Sequence, residues 1–229
     1  MTLFPLPDHP RILVIGDGTM PEKFITLIPD CGVRLAPLPP YCTIGEIAEF
    51  AMVVLASERP FPAIEAELDE KCWHAGIPWI SALLLAHEFR VGPMVVPRRT
   101  PCHECWRRRV HSQAAEPEIH TAIQNLGMST EPGPWFTGTL AALHDQVAGI
   151  LAAEVMALLS NNYPFPAGSQ GRYWQGDAVY GNLESHVFSY IGTCNRCLGT
   201  EKLQAGSQAL GNYARARFAN SLRAAARGT

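Results

Sequence analysis

Four of the seven cysteines in this chain fall into two C-x-x-C pairs. Cys102 and Cys105 form the first pair, and Cys194 and Cys197 form the second pair, far downstream. Two residues between thiols let one turn direct both sulfur atoms at a common centre, and two such turns complete a tetrahedral, all-sulfur shell. The spacing predicts one structural Zn²⁺ per chain. Because four thiolates leave no open position for water, we expect no catalysis by this metal.

A redox dithiol and an accidental pairing are the alternatives to zinc. A redox C-x-x-C usually occurs once, at the start of a helix that follows a strand. The N-terminus, MTLFPLPDHPR, lacks the basic start and apolar core of a secretory signal. A cytoplasmic, reducing compartment is therefore expected, where paired thiols bind metal more often than they form disulfides. His103, between the first two cysteines, is the weakest alternative ligand.

Basic and aromatic side chains surround the first cysteine pair. The arginines are Arg98, Arg99, Arg107, Arg108 and Arg109. They form either a solvated rim or a docking surface for an acidic peptide or partner, and the sequence leaves both interpretations open. The tryptophans Trp106, Trp135 and Trp174 are likewise either interface anchors or core residues.

No catalytic residue is predicted among the remaining reactive side chains. Cys72 continues the apolar face of a predicted helix, so we interpret it as a core residue. Cys31 and Cys42 stand in no evident electropositive turn beside a histidine. His144 lies next to an apolar stripe without an identifiable nucleophile, which favours a partly buried structural histidine.

Composition sets the class of protein. The chain is 47% hydrophobic and 17% charged, which is typical of a folded domain with a real core. A net charge of −3 and a pI near 6.2 give no reason to expect binding to nucleic acid or an anionic membrane. The sequence has no run of 18 uninterrupted apolar residues, so a transmembrane helix is not expected.

Short apolar runs alternate with helical patterns along the chain. Strands are predicted at 11–15, 33–35, 52–55, 77–85 and 91–96, around Tyr173 and at 186–190. Helices are predicted after Pro21, from Pro62 to Gly76, and over 137–159, with a crossover segment at 112–136. This alternation predicts an α/β fold with a doubly wound, mostly parallel sheet, in which zinc joins distant segments.

The surroundings of the cysteines resemble those in E1-like (ThiF-like) proteins of azole-peptide biosynthesis. The run Gly92–Pro97 leads into Pro101 and the first C-x-x-C pair, with three arginines after it. The phrase 76–80 (Gly-Ile-Pro-Trp-Ile), the helix from Leu140, and Gly171-Arg172 before the second pair keep the order of that family. The resemblance covers roughly residues 11–200 and rests on this order of landmarks.

The resemblance implies an E1-like, Rossmann-type fold and a role in making ribosomal peptide antibiotics. In the azole, thiopeptide and microcin-type pathways such proteins partner a YcaO-type cyclodehydratase, which uses ATP to convert Cys, Ser or Thr of a precursor peptide into azolines. They typically hold the leader through an N-terminal winged helix. Here the presumed first strand begins at Arg11, so we expect a domain at 1–200 that lacks this module, followed by a basic tail at 201–229.

The nucleotide site of an active E1-like enzyme resembles G-x-G-x-x-G, with acidic residues at later strand ends. Here residues 16–21 read Gly-Asp-Gly-Thr-Met-Pro, without the third glycine, and the strand at 52–55 ends in Ala56-Ser57 instead of an aspartate. We therefore expect a non-catalytic scaffold subunit that presents the precursor peptide. It would act as a homodimer or hetero-oligomer, with the tail as a docking element.

Two other functions stay open. One is an active E1-like adenylating enzyme that acts on a peptide or carrier-protein C-terminus. The other is a free-standing zinc protein with only an interaction role.

Overall fold

Apolar runs form the strands of one seven-stranded sheet within the part of the chain that the computed structural model describes. That part comprises residues 10–16, 18–28, 31–38, 47–114, 138–160 and 171–197, with 116, 118–119 and 121–122. The strands are β1 (Arg11–Gly16), β2 (Gly32–Ala36), β3 (Met52–Ser57), β4 (Trp79–Leu85), β5 (Glu88–Val95), β6 (Gly171–Asp177) and β7 (Asn182–Phe188). The helices are α1 (Thr19–Thr26), α2 (Pro62–Ala75), α3 (His103–Gln113) and α4 (Ala141–Leu159).

The chain divides into two compact units, Met1–Ser189 and Tyr190–Thr229. All of the strands and helices named above belong to the first unit. The second is described over 190–197, where a helical turn covers 195–197. The predicted tail at 201–229 and most of the predicted crossover segment lie outside the described residues. The predicted domain boundary at residue 200 stays a prediction.

The sheet is parallel in one half and antiparallel in the other. Its strand order is β2-β1-β3-β4-β5-β6-β7. The pairings among β2, β1, β3 and β4 are parallel, and those from β4 to β7 are antiparallel. The predicted mixed α/β fold with a parallel core is confirmed, whereas the antiparallel half was not predicted. Only residues 86–87 join β4 to β5, and a parallel return would need a dozen or more residues.

Alternate side chains of the parallel strands enter two separate apolar clusters. Ile12 and Val14 of β1 pack with residues of α1 and α4, whereas Leu13 and Ile15 pack with residues of α2. Successive side chains of a strand point to opposite faces, so helices cover both faces of this half of the sheet. This burial on both sides explains why the strands read as continuous apolar runs.

Helix α4 carries the apolar stripe predicted for it. By length and composition it is apolar enough to cross a membrane, the one such helix in the described part of the chain, and half of its apolar window is buried. Leu143, Val147 and Leu151 pack in the cluster shared with α1. The stripe therefore serves as a core face of the domain.

Helix α3 was not predicted, because little of it is apolar. Its cysteines and Trp106 are buried, while the rest of the helix is strongly polar. The backbone N–H of His103 donates a 3.1 Å hydrogen bond to Asp69 Oδ1 of α2, which satisfies one of the unpaired donors of the first turn. A tertiary contact of this kind leaves no periodic signal in the sequence.

Candidate metal centre, helix terminus and cavity

The four predicted zinc ligands come together. The sulfur atoms of Cys102, Cys105, Cys194 and Cys197 lie within 4.8 Å of one another, and all but that of Cys197 belong to buried residues. Cys102 Sγ and Cys105 Sγ are 3.8 Å apart. A Zn–S bond of about 2.3 Å at the tetrahedral angle separates two sulfurs by about 3.8 Å, whereas a disulfide would need about 2.05 Å. The donor set therefore suits a structural metal site.

His103 is turned away from the cysteine sulfurs, as expected for a residue between two ligands. Its ring packs between Trp79 (centroid distance 5.3 Å) and Trp106 (4.9 Å). Its Nε2 lies 3.7 Å from Glu65 Oε2, and the residue is 3% exposed. Burial and the positive charges of Arg90 and Arg107 lower the pKa of His103, against the effect of nearby carboxylates. His103 is therefore neutral at neutral pH.

A buried ion pair lies below this ring. Arg90 of β5 donates to Glu65 of α2 and, at 3.1 Å, to Ser81 Oγ of β4. Burial raises the pKa of Glu65, but the Arg90 and His103 charges and the hydrogen bonds from Ser81 and Arg90 bring it below its ordinary value of 4.5. Since His103 is neutral, the Arg90 charge is the main stabilising cause.

The same residues form one end of a cavity of about 290 Å³. Glu65, Ser81, Arg90 and His103 supply its polar lining, and the apolar lining comes from Leu55, Phe61, Leu83, Leu85, Phe89 and Val110. Trp106 and Tyr173 complete the wall, with the Arg90 guanidinium 4.3 Å from the Trp106 ring centroid. A concave, mostly apolar space with a few convergent polar groups is the usual form of a ligand site.

Unsatisfied donors among the cavity residues indicate the kind of ligand that fits. Arg90 Nε, His103 Nε2 and Trp106 Nε1 are buried and make no hydrogen bond within the described structure. Burial raises the pKa of Tyr173, so its phenol is protonated at neutral pH. Buried polar groups normally have partners. The arrangement therefore suits an apolar ligand that carries acceptor oxygens.

The start of α1, where a nucleotide phosphate would bind in an active E1-like enzyme, is occupied by a carboxylate. The backbone N–H of Thr19 donates a 3.1 Å hydrogen bond to Glu58 Oε1, next to Gly18 at φ +84°. His144 Nε2 lies 3.1 Å from the same oxygen and 3.1 Å from Thr139 Oγ1. Helix N-termini attract anions, and here the anion belongs to the chain itself. Asp17, the residue before Gly18, lies outside the described residues.

The five predicted docking arginines occupy different surroundings. Arg107 lines the cavity and donates to both carboxylate oxygens of Glu104, at 2.7 and 2.9 Å. Arg108 also donates to Glu104, at 2.7 Å. Arg109 donates to the Ser189 carbonyl at 2.9 Å and lines a smaller cavity of about 120 Å³. Arg98 and Arg99 lie in the turn after β5. Their role in docking stays a prediction.

The other candidate residues take structural positions. Cys72 is fully buried, and burial raises the pKa of its thiol, which agrees with a core role. His144 is buried, as interpreted, but its contact with Glu58 was not foreseen. Trp174 Nε1 donates to Glu154 at 2.8 Å. Cys42 and Trp135 lie outside the described residues. Glu58, Glu65 and Arg90 were missed, and a charged Arg90 beside an apolar strand was the one available signal.

Comparison with solved structures places this fold among peptide-modifying proteins. The heterocyclase TruD matches with a TM-score of 0.61 and 16% identity over 86% of this chain. A heterocyclase in complex with substrate and cofactor matches with 0.60 and 15% over 82%. E. coli MccB matches with 0.56 and 15% over 82%. The microcin C7 biosynthetic enzyme MccB in complex with N-formylated MccA matches with 0.57 and 16% over 82%.

These matches establish the fold and its extent. The chain spans 28% and 25% of the two heterocyclase chains, and 65% and 67% of the two MccB chains. No family model matches the sequence. No curated protein matches it either. At identities of 16% or less the likeness is one of fold, and it supports the ThiF-like fold expected from the resemblance.

The cysteine quartet predicts one tightly bound zinc per protomer. Because each thiolate closes part of the shell, Cys102→Ser and Cys194→Ser should lose most of the metal and should also lower the stability of the protein. Elemental analysis of purified protein measures the occupancy. Cys72→Ser, a buried cysteine outside the quartet, is the matched control and should keep its zinc. Full occupancy in both ligand variants would show that the assignment is wrong.

The buried ion pair predicts an asymmetric response to mutation. Glu65→Gln should lower the free energy of unfolding by about 3 kcal/mol, because it leaves the Arg90 charge buried without a partner. Removing both charges in Glu65→Gln/Arg90→Met should cost less than Glu65→Gln alone. Urea unfolding measures both values. Glu67→Gln, which breaks an exposed pair with Lys71 on the same helix, should cost about 0.5 kcal/mol or less.

The same pair predicts the direction of a pH effect. The pKa of Glu65 is lower in the folded protein than in the unfolded chain, so its ionisation stabilises the fold above pH 4.5 or so. This contribution is lost as the pH falls through the lowered folded value. The stability difference between wild type and Glu65→Gln should therefore shrink on acidification, and a difference that grew would contradict the assignment.

Proposed function

We propose that this chain is a non-catalytic, E1-like subunit of a YcaO-type azoline-forming cyclodehydratase and that it holds a ribosomal precursor peptide. The carrying observation is the Glu58 carboxylate at the start of α1. Fold likeness to heterocyclase TruD, and to MccB in complex with the peptide MccA, supports the pathway.

Glu58 argues against nucleotide binding on two grounds. Its oxygen already accepts the hydrogen bond that the Thr19 N–H would donate to a phosphate. Its negative charge, held beside the buried His144, would also repel a phosphate that approached the same helix start. ATP chemistry is therefore assigned to the YcaO-type partner.

The cavity is the proposed site for part of the peptide. An apolar side chain fits its walls, and a carboxylate or backbone carbonyl can accept from the donors of Arg90 and Trp106. Arg59 and Arg107 add positive charge to its lining. Holding a flexible peptide beside a second enzyme replaces a bimolecular encounter with a local one, which is how a subunit without chemistry of its own accelerates a reaction.

A structural Zn²⁺ on the cysteine quartet completes the proposal. Four thiolates in a closed shell are the usual ligands of structural zinc and leave no position for substrate. The metal would contribute folding free energy to the chain. The assembly is proposed to be cytoplasmic and oligomeric, with the tail at 201–229 as one docking element.

The nucleotide prediction separates this proposal from an active adenylating enzyme. Wild type should show no binding of Mg-ATP in calorimetry. Glu58→Gln removes the competing charge, so its affinity for Mg-ATP or inorganic phosphate should rise at least about tenfold over wild type. Glu70→Gln, an exposed glutamate on α2, is the control and should behave as wild type. Micromolar binding of Mg-ATP by wild type, with release of pyrophosphate, would instead favour the adenylating enzyme.

The peptide prediction uses the Cys/Ser/Thr-rich precursor encoded near a YcaO gene. Fluorescence anisotropy should detect binding of the labelled peptide, and Arg59→Glu and Arg107→Glu should weaken it about tenfold, because they reverse charges in the cavity lining. Arg34→Glu, on the distant strand β2, should have no effect. Mass spectrometry of the peptide with the YcaO partner should show azolines only when this chain is added. Ring formation without the chain would overturn the proposal.

A further inference from the structure

Strand β7 leaves one edge of the sheet unpaired. It hydrogen-bonds β6 on one side and stands last in the strand order, with no strand beyond it among the described residues. Most of its residues are exposed, including Leu183 at 44% and Val187 at 57%. Its outward N–H and C=O groups are therefore available to another strand.

This edge lacks the features with which proteins usually block edge-to-edge pairing. Asn182–Phe188 contains no lysine and no proline, and its register with β6 runs through seven residues without a bulge. An exposed edge that is straight, long and partly apolar favours addition of a strand. The question is which strand fits it.

Side-chain geometry restricts how β7 could pair with β7 of a second copy. Residues that face each other across an antiparallel pair point to the same face of the sheet. A two-fold axis must therefore pass through a residue and not between two residues. Each choice of that residue fixes all of the other pairs.

Only an axis through Ser185 pairs the whole strand with itself. Leu183 then faces Val187 of the other copy, and Glu184 faces His186, so the exposed apolar residues meet each other and the acidic residue meets the imidazole. An axis through Glu184 would oppose two glutamates, and an axis through His186 would oppose two histidines. Within one chain Glu184 Oε2 already lies 3.6 Å from His186 Nε2, which shows that these side chains share a face.

We propose that β7 is a homodimer interface in which two copies pair antiparallel about Ser185 to form one continuous sheet. The occupant is a second copy because the strand is self-complementary in this register, in apolar residues on one face and in charge on the other. The Tyr173 ring stacks on His186 at 5.1 Å and holds the imidazole in place on the charged face. This interface is independent of the cavity and of the proposed function.

Site-directed cross-linking tests the register. In Ser185→Cys the two introduced thiols face each other across the axis, so mild oxidation should give a covalent dimer beyond the wild-type background. In Leu183→Cys the two introduced thiols are separated by about four residues of strand, roughly 13 Å, and should not join. Cross-linking of Leu183→Cys without Ser185→Cys would overturn the register.

Charge exchange tests the complementarity. Light scattering across a dilution series should show a dimer for wild type, and Glu184→Lys should raise its dissociation constant at least about tenfold. The exchange variant Glu184→Lys/His186→Glu restores opposite charges and should recover the dimer, while Glu70→Lys should change nothing. A wild-type monomer would overturn the proposal. So would a precursor peptide whose binding is abolished by Glu184→Lys while the oligomeric state is unchanged, since the edge would then bind peptide.

Discussion

The buried pair between Arg90 and Glu65 is the constraint around which one face of the sheet is arranged. Removing two charges from water costs several kcal/mol for each, so the pair persists only where its attraction and its hydrogen bonds offset that cost. Ser81 supplies one such bond, and the Trp106 ring faces the guanidinium. Strand β5, helix α2 and helix α3 therefore hold their relative positions through this pair, and the cavity is the space that they enclose.

Two glutamates that follow β3 close one site and form another. Glu58 satisfies the first N–H of α1 and gives that helix start a negative charge of its own. Glu65, one helical turn into α2, fixes the arginine that polarises the cavity. A ThiF-like fold with its phosphate position filled and its lateral cavity intact is suited to binding without turnover. The same scaffold can thus lose a reaction and keep a binding surface, because fold and chemistry are separable.

The sequence predicted those features whose cause is local. Two C-x-x-C pairs identify their own partners, since thiol spacing is itself the geometric requirement, and the stripe on α4 follows from a period that burial imposes. The direction of β5 was missed because a two-residue turn, not an apolar pattern, decides it. Helix α3 was missed because a contact with Asp69 stabilises its start. Glu58 could not be assigned to α1, because nothing in a linear pattern tells which distant N–H a carboxylate will meet.

The pairing of β5 with β6 joins segments that are far apart in the chain, in contrast to the local β-α-β units before it. Contacts of this kind form late, because a long loop must close before the pairing stabilises it. During synthesis the parallel half can be completed while β6 has yet to leave the ribosome, but Tyr173 and Gln175, which line the cavity, are then missing. Only a nearly full-length nascent chain can therefore carry a complete cavity, and a truncated translation product, even one with a folded parallel half, cannot compete for its ligand.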